Sequence, residues 1–241
     1  MKNKLPARNA THKRCRRMNL YPSVLTDSIQ TLQGQLDLVK DNSNIKVVQI
    51  DIVDGQFANN LTITPLDLLD ADFGDLKIDL HLMVEEPMDF VYEAVSIKKE
   101  LPIRAIISQV ERMSYFEDYL EEVKKHEWQV GLSLDLHTPV EEIKPFLKKL
   151  NVLQLMTVEA GEQGQEFQSQ ALKKIQTLNT KFQTNDKLQN SNNKKGFELI
   201  VDGGVKLENI DQLRKTGVDS ICVGSALWQA KDINKAIQEL I

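Results

Sequence analysis

The sequence predicts an α/β protein of one domain, a (β/α)8 TIM barrel. Three observations lead there. From Tyr21 to the C-terminus, short apolar runs alternate eight times with amphipathic or polar stretches. The 241 residues lie near the ~250 typical of such barrels. Polar residues and glycines gather just past the apolar runs, where a barrel has its mouth.

The elements follow in order. Tyr21 to Leu25 is the first strand, and Ile29, Leu32, Leu36 and Val39 recur at helical spacing. Residues 45–52 form the second strand, which ends in Asp54-Gly55 and a long loop through Asn59, Asn60 and Pro65. A short helix at 66–69 precedes a third strand at 77–84, and 88–96 is helical. Strand, helix and strand follow at 104–108, 115–126 and 130–134, with a helix expected over 140–150 after Thr138-Pro139. A sixth strand at 152–158 leads through Gly161 to Gly164 into a helix at about 167–178. Residues 181–196 are polar and rich in Asn, Gln and Lys, which predicts a flexible insertion on the face away from the chemistry. Strand 197–201, helix 207–216, strand 220–223 and a closing helix over 226–240 complete the count.

Composition excludes several classes. With 41% hydrophobic and 27% charged residues the chain can bury one sizeable core, and no apolar run approaches the roughly 20 residues that span a bilayer. Cys15 and Cys222 are too far apart in sequence for a zinc-ribbon spacing and argue against a disulfide scaffold, so the cytoplasm is the expected setting. Residues 1–17 hold seven cations and no acid. The remainder then carries 23 positive against 35 negative charges, net −12, a balance that does not suit nucleic acid. The basic head, residues 1–18, reads as a disordered extension before the barrel at 19–241, and Met18 is an alternative start.

Four polar residues fall at strand ends: Ser23, Asp51, His81 and Asp202. Asp51 sits among apolar neighbours, and a buried carboxylate needs a cation, a metal or a set of donors. Alone it could equally cap a loop. Gly161, Gly164, Gly203, Gly204 and Gly224-Ser225 occupy the same face, where backbone N–H groups can approach a phosphate or simply form tight turns.

These residues resemble a known family. Pro22-Ser23-Val24-Leu25, Ile50-Asp51-Ile52-Val53-Asp54-Gly55, His81-Leu82-Met83-Val84, Met156-Thr157-Val158 and Val201-Asp202-Gly203-Gly204-Val205 stand in the order seen in ribulose-phosphate 3-epimerases. The resemblance implies a cytoplasmic isomerase of the pentose phosphate pathway, a homo-oligomer, acting on ribulose 5-phosphate and xylulose 5-phosphate. It implies Asp51 and Asp202 as the acid/base pair and a divalent cation (Zn, Mn, Fe or Mg) on Asp51, His81 and Asp202. Ser23, His81, Met83 and Met156 would contact substrate, with Gly161, Gly164, Gly203, Gly204, Gly224 and Ser225 around its phosphate. No membrane or nucleic-acid partner is implied.

The sequence departs from that pattern at the site. Gln49 stands where the resemblance calls for a fourth metal ligand, a histidine, and an amide is a poorer donor than imidazole for zinc-like ions. Gln56 and Gln109 also replace histidines, Val53 a methionine, and Glu162-Gln163 an aromatic-glycine pair in the phosphate loop. The alternative reading is therefore a non-catalytic or altered-specificity phosphosugar-binding relative. A decarboxylase or synthase of the wider group is disfavoured, because no lysine follows Asp51 in an Asp-x-Lys-x-x-Asp run.

Overall fold

Eight parallel strands close on themselves in sequence order, each hydrogen-bonded to the next and β8 to β1, in a computed structural model that describes residues 17–182 and 196–241. The strands are β1 Asn19–Val24, β2 Val47–Val53, β3 Lys77–Met83, β4 Ile103–Gln109, β5 Gln129–Leu134, β6 Val152–Met156, β7 Glu198–Asp202 and β8 Ser220–Val223. Around them run α1 Ile29–Val39, α2 Pro87–Ser96, α3 Phe116–Lys125, α4 Ala171–Phe182, α5 Leu207–Thr216, α6 Ser225–Trp228 and α7 Ile233–Leu240. Short 3-10 turns at Leu66–Asp70 and Val140–Ile143 replace helices after β2 and β5. The barrel is the architecture the alternation predicts. No helix among the described residues is long and apolar enough to cross a membrane.

Local chemistry sets the boundaries. Ser28 caps α1 by accepting the Thr31 N–H at 3.3 Å, Pro87 opens α2 where its missing N–H costs nothing, and Gly217 ends α5 in the left-handed conformation at φ +80°.

Three expected helices are corrected. The stretch expected as a helix over 140–150 is the 3-10 turn followed by further i to i+3 turns, because Pro145 has no N–H to continue an α ladder. The helix expected from 167 begins at Ala171, since Gln168 gives its N–H to the Thr157 carbonyl at 2.9 Å and keeps that segment on the end of β6. The closing helix is two, α6 and α7, because Asp232 caps the second by accepting the Lys235 N–H at 2.9 Å. Most of the 181–196 insertion, and residues 1–16 of the basic head, lie outside the described residues. Met18, assigned to that head, is buried in the core, and Arg17 donates to Asn44 Oδ1 at 2.7 Å.

The core has two compartments. The larger lies between strands and helices, where Leu32 and Leu36 of α1, Ile210 and Leu213 of α5 and Ile237 of α7 meet the outward residues of the strands. The smaller fills the barrel itself with Tyr21, Val47, Ala105, Ile107, Val152, Ile200 and Cys222. These inward positions alternate with outward ones, as a pleated strand requires. Below them, at the strands' N-terminal ends, Arg104 bridges Asp79 and Glu198; above them lie the polar side chains of the mouth.

Tyr119 of α3 is fully buried and donates its hydroxyl to the carbonyls of Ile106 and Gly131, at 2.9 and 3.0 Å. At Gly131, in the middle of β5, a Cβ would stand 2.6 Å from Ile107 Cγ1 and 3.0 Å from Ile107 Cα. Gly131→Ala should therefore cost about 1–3 kcal/mol by overpacking the barrel interior. Urea unfolding of both proteins checks this, and an unchanged midpoint would mean that the strand has room.

Candidate active site

Every nominated residue except Gln49 lines one cleft at the C-terminal ends of the strands. Gln49 lies beneath it, fully buried. Asp51 and His81 are register partners on β2 and β3, five residues into each strand, so both side chains point inward on the same level. Asp202 is the last residue of β7 and faces them from the other side, paired in register with Met156 of β6 and Cys222 of β8.

The three form one connected cluster. His81 Nδ1 is 2.9 Å from Asp51 Oδ1 and 3.7 Å from Asp202 Oδ2. Ser23 donates its hydroxyl to Asp51 Oδ2 at 2.5 Å, and Gln154 donates its amide to Asp202 Oδ2 at 3.0 Å. Gln49 Nε2 donates to Asp51 Oδ1 at 2.8 Å and to Asp202 Oδ2 at 2.6 Å. On the far side of the imidazole, Gln109 turns its oxygen to His81 Nε2 at 3.1 Å and its nitrogen to Glu111 Oε2 at 2.9 Å.

Burial sets the charge states. Asp202 is pushed up to about 6, first by desolvation and then by the charge of Asp51; His81, Gln49 and the Gly203 N–H pull the other way. His81 is opposed by burial, but the hydrogen bond and charge of Asp51, with the charge of Asp202, outweigh it and raise its pKa. Burial also pushes the Cys222 thiol well up, so it stays a neutral S–H. One donor atom each from Asp51, His81 and Asp202 lies within 4.8 Å of the others, so this buried trio could hold a metal ion.

The neighbouring aspartate Asp54 does structural work. Its Oδ1 accepts the N–H groups of Gln56 and Phe57, both at 2.8 Å, and its Oδ2 that of Glu85 at 2.7 Å, which fixes the loop after β2. Asn60 then donates to the Gly161 carbonyl at 2.9 Å and ties that loop to the glycine loop after β6.

The cleft's other wall is backbone. Gly203 and Gly204 have φ of +108° and +61°. A Cβ on Gly203 would lie 2.5 Å from Val158 Cγ2, and one on Gly204 2.5 Å from the Phe167 nitrogen, so neither position admits a side chain. Gly224-Ser225 and Lys206 line the same cleft. The loop residue Glu162 is exposed, while the Gln163 amide approaches Gly224. Trp228 donates its indole N–H to the Ser23 carbonyl at 2.8 Å, so α6 is fastened directly to the end of β1.

Met83 and Met156 are buried against the cleft, as their place in the sequence motifs suggests. Gln56, by contrast, is exposed and does not line the cleft. Gln154 and Cys222 were not singled out for the site by the sequence. Their signal is alternation: each lies two residues before a position already nominated, Met156 and Gly224, and so shares the inward face.

Comparison with known proteins gives the chain its relatives. The ribulose-phosphate 3 epimerase family matches residues 19–228. Ribulose-phosphate 3-epimerase of Bacillus subtilis is 28% identical over 225 residues, covering 92% of this chain and 98% of that protein. Its namesake in Escherichia coli K12 is 31% identical over 230 residues, covering 92% and 93%. Among solved structures, a mutant tryptophan synthase alpha-subunit from Pyrococcus furiosus superposes with a TM-score of 0.63 at 16% identity, covering 92% of this chain and 97% of that one. At that identity the likeness is one of fold. The sequence match runs from β1 into α6 and takes in both aspartates and His81, and on that ground the chain belongs to the ribulose-phosphate 3-epimerase family.

Proposed function

We propose that the protein epimerises ribulose 5-phosphate and xylulose 5-phosphate, with Asp51 and Asp202 as the acid/base pair. The observation that carries this reading is that two buried carboxylates reach one cleft from different strands, Asp51 held by Ser23 and Asp202 by Gln154. One carboxylate removes the proton from the third carbon, and the electron pair of that C–H bond moves toward the neighbouring carbonyl to give an enediolate. The other, protonated, returns a proton to the opposite face. Each turnover transfers one proton from one carboxyl to the substrate and one from the substrate to the other carboxyl, so the reverse reaction starts from the state that the forward one leaves.

Ser23 holds Asp51 by its 2.5 Å hydrogen bond, and Gln154 holds Asp202, so both carboxylates are oriented before substrate arrives. Met83 and Met156 give the reacting carbons an apolar, polarizable wall that excludes water. The glycine loops and Ser225 take the phosphate, with Lys206 the cation on that side of the cleft. A divalent cation on Asp51, His81 and Asp202 would supply positive charge to the developing enediolate oxygen when bound. Two carboxylates and one imidazole suit Mn or Fe at least as well as Zn. His81 must give up its Nδ1 proton to serve there.

The test is exchange in deuterated water. Incubation of the protein with ribulose 5-phosphate should produce xylulose 5-phosphate and place solvent deuterium at the third carbon. Saturable binding of the phosphosugar with no exchange under any metal condition would replace the enzyme with a binding protein.

A further inference from the structure

Gln49 is fully buried, and its amide is used at both ends. Its two N–H groups go to two different carboxylates, Asp51 Oδ1 at 2.8 Å and Asp202 Oδ2 at 2.6 Å. Its oxygen accepts from Cys222 Sγ at 2.9 Å. Chemistry fixes this orientation. An ionised carboxylate can only accept, so the nitrogen must face the aspartates, and the thiol supplies the hydrogen that the oxygen needs. The same nitrogen lies 3.4 Å from His81 Nδ1, so it stands against all three side chains that could ligate a cation.

Two buried carboxylates repel each other, and something must hold them together. In this chain two amide N–H groups do so beside the His81 imidazole, and theirs are the direct hydrogen bonds that reach both carboxylates. A cation bound through Asp51 Oδ1 and Asp202 Oδ2, the oxygens that face His81 Nδ1, would have to displace both hydrogen bonds. If the amide turned to offer its oxygen, its nitrogen would face the Cys222 sulfur, which is a poor acceptor. Ion binding therefore forfeits three good contacts of Gln49, and each lost bond to a charged group weakens it.

We infer that Gln49, locked by Cys222, is a positioning residue that ties Asp51 to Asp202 in the ion-free protein and competes with divalent metal for their oxygens. This rests on the reading of the two aspartates as the acid/base pair, but the bridge itself can be tested without substrate. Chelator-stripped full-length protein is titrated with MnCl2, and binding is read by calorimetry and by the electron paramagnetic resonance of free Mn.

The parent should bind Mn at least tenfold more weakly than Gln49→His, which adds an imidazole and removes the bridge. Cys222→Ala, which frees the amide to turn, should bind it several-fold more tightly than the parent, whereas Cys222→Ser, which keeps a donor, should stay close to the parent. A purely structural role for either residue would move the melting temperature without raising metal affinity. One tightly held equivalent of metal that survives chelation of the parent would overturn the inference, as would Gln49→His and Cys222→Ala binding Mn no more tightly than the parent. If Gln49→His does not fold, the Cys222 pair decides. Weak Mn binding by the parent with the expected variant order, but no deuterium exchange in any condition, would uphold the bridge and reject the epimerase reading.

Discussion

Asp202→Asn loses turnover by about a hundredfold to ten-thousandfold, the range that a positioned proton donor or acceptor contributes, while substrate binding changes little. Volume is kept, and the Asn oxygen can still accept from Gln49 and Gln154, so the packing around β7 survives. Stability supplies an independent reading. The folded protein holds the Asp202 proton up to about 6, above the ordinary carboxylate value of 3.8. Between those values the folded state binds more protons than the unfolded state. The contribution of this group is therefore fully present at the acid end and is lost as pH rises through about 6. At pH 8 the parent carries an ionised carboxylate in a site that disfavours it, and the neutral Asn does not. The melting temperature of Asp202→Asn should equal or exceed that of the parent at pH 8, with the difference shrinking toward pH 5. Steady-state kinetics and thermal melts at both pH values check the two halves. Turnover within tenfold of the parent would remove Asp202 from proton transfer.

The second large effect is expected at the other end of the barrel. Arg104 Nε donates to Asp79 Oδ1 at 2.7 Å, its Nη2 to Asp79 Oδ2, and its Nη1 to Glu198 Oε2 at 2.9 Å. The guanidinium also stacks 4.9 Å from the Tyr21 ring, whose hydroxyl donates to Glu198 Oε1 at 2.6 Å. Asp79 is fully buried, and burial pushes it up to about 6 although Arg104 draws it down. Arg104→Met leaves that carboxyl without a partner and should cost about 3–5 kcal/mol. For a domain of this size that is a fall of roughly 10 °C in Tm. Without Arg104 the carboxyl is neutralised more readily, so the loss should be smaller at pH 5 than at pH 8. Below the new melting transition, kcat should stay within twofold of the parent. A Tm within 2 °C of the parent at pH 8 would show that the floor network contributes little net stability.

Much of this was legible in the sequence because it is local. Strands such as Val47–Val53 announce themselves by apolar runs, and the same short words, His81-Leu82-Met83-Val84 and Val201-Asp202-Gly203-Gly204, carry both the fold and the site. Two corrected helices were legible too, in Pro145 and in Asp232 as a cap, but the apolar periodicity on either side masked the breaks. The role of Gln49 was not legible. Sequence places it two residues from Asp51 and invites reading it as a defective ligand. Its other partners, Asp202 and Cys222, lie 153 and 173 residues away, and only closure of the barrel brings them to the same amide. Gln109 likewise looks like a lost histidine until its oxygen is found against His81 Nε2.

The apolar cluster inside the barrel separates its two charged ends. Ala105, Ile107, Val152 and Ile200 form an apolar layer between two sets of charges, Asp79, Arg104 and Glu198 on one side and Asp51, His81 and Asp202 on the other. Among the described residues, no hydrogen bond joins the two sets directly. Charge nevertheless reaches across that layer, because burial, Asp202 and Asp51 above it, and Asp79 and Glu198 below it together raise the pKa of the Cys222 thiol that holds Gln49.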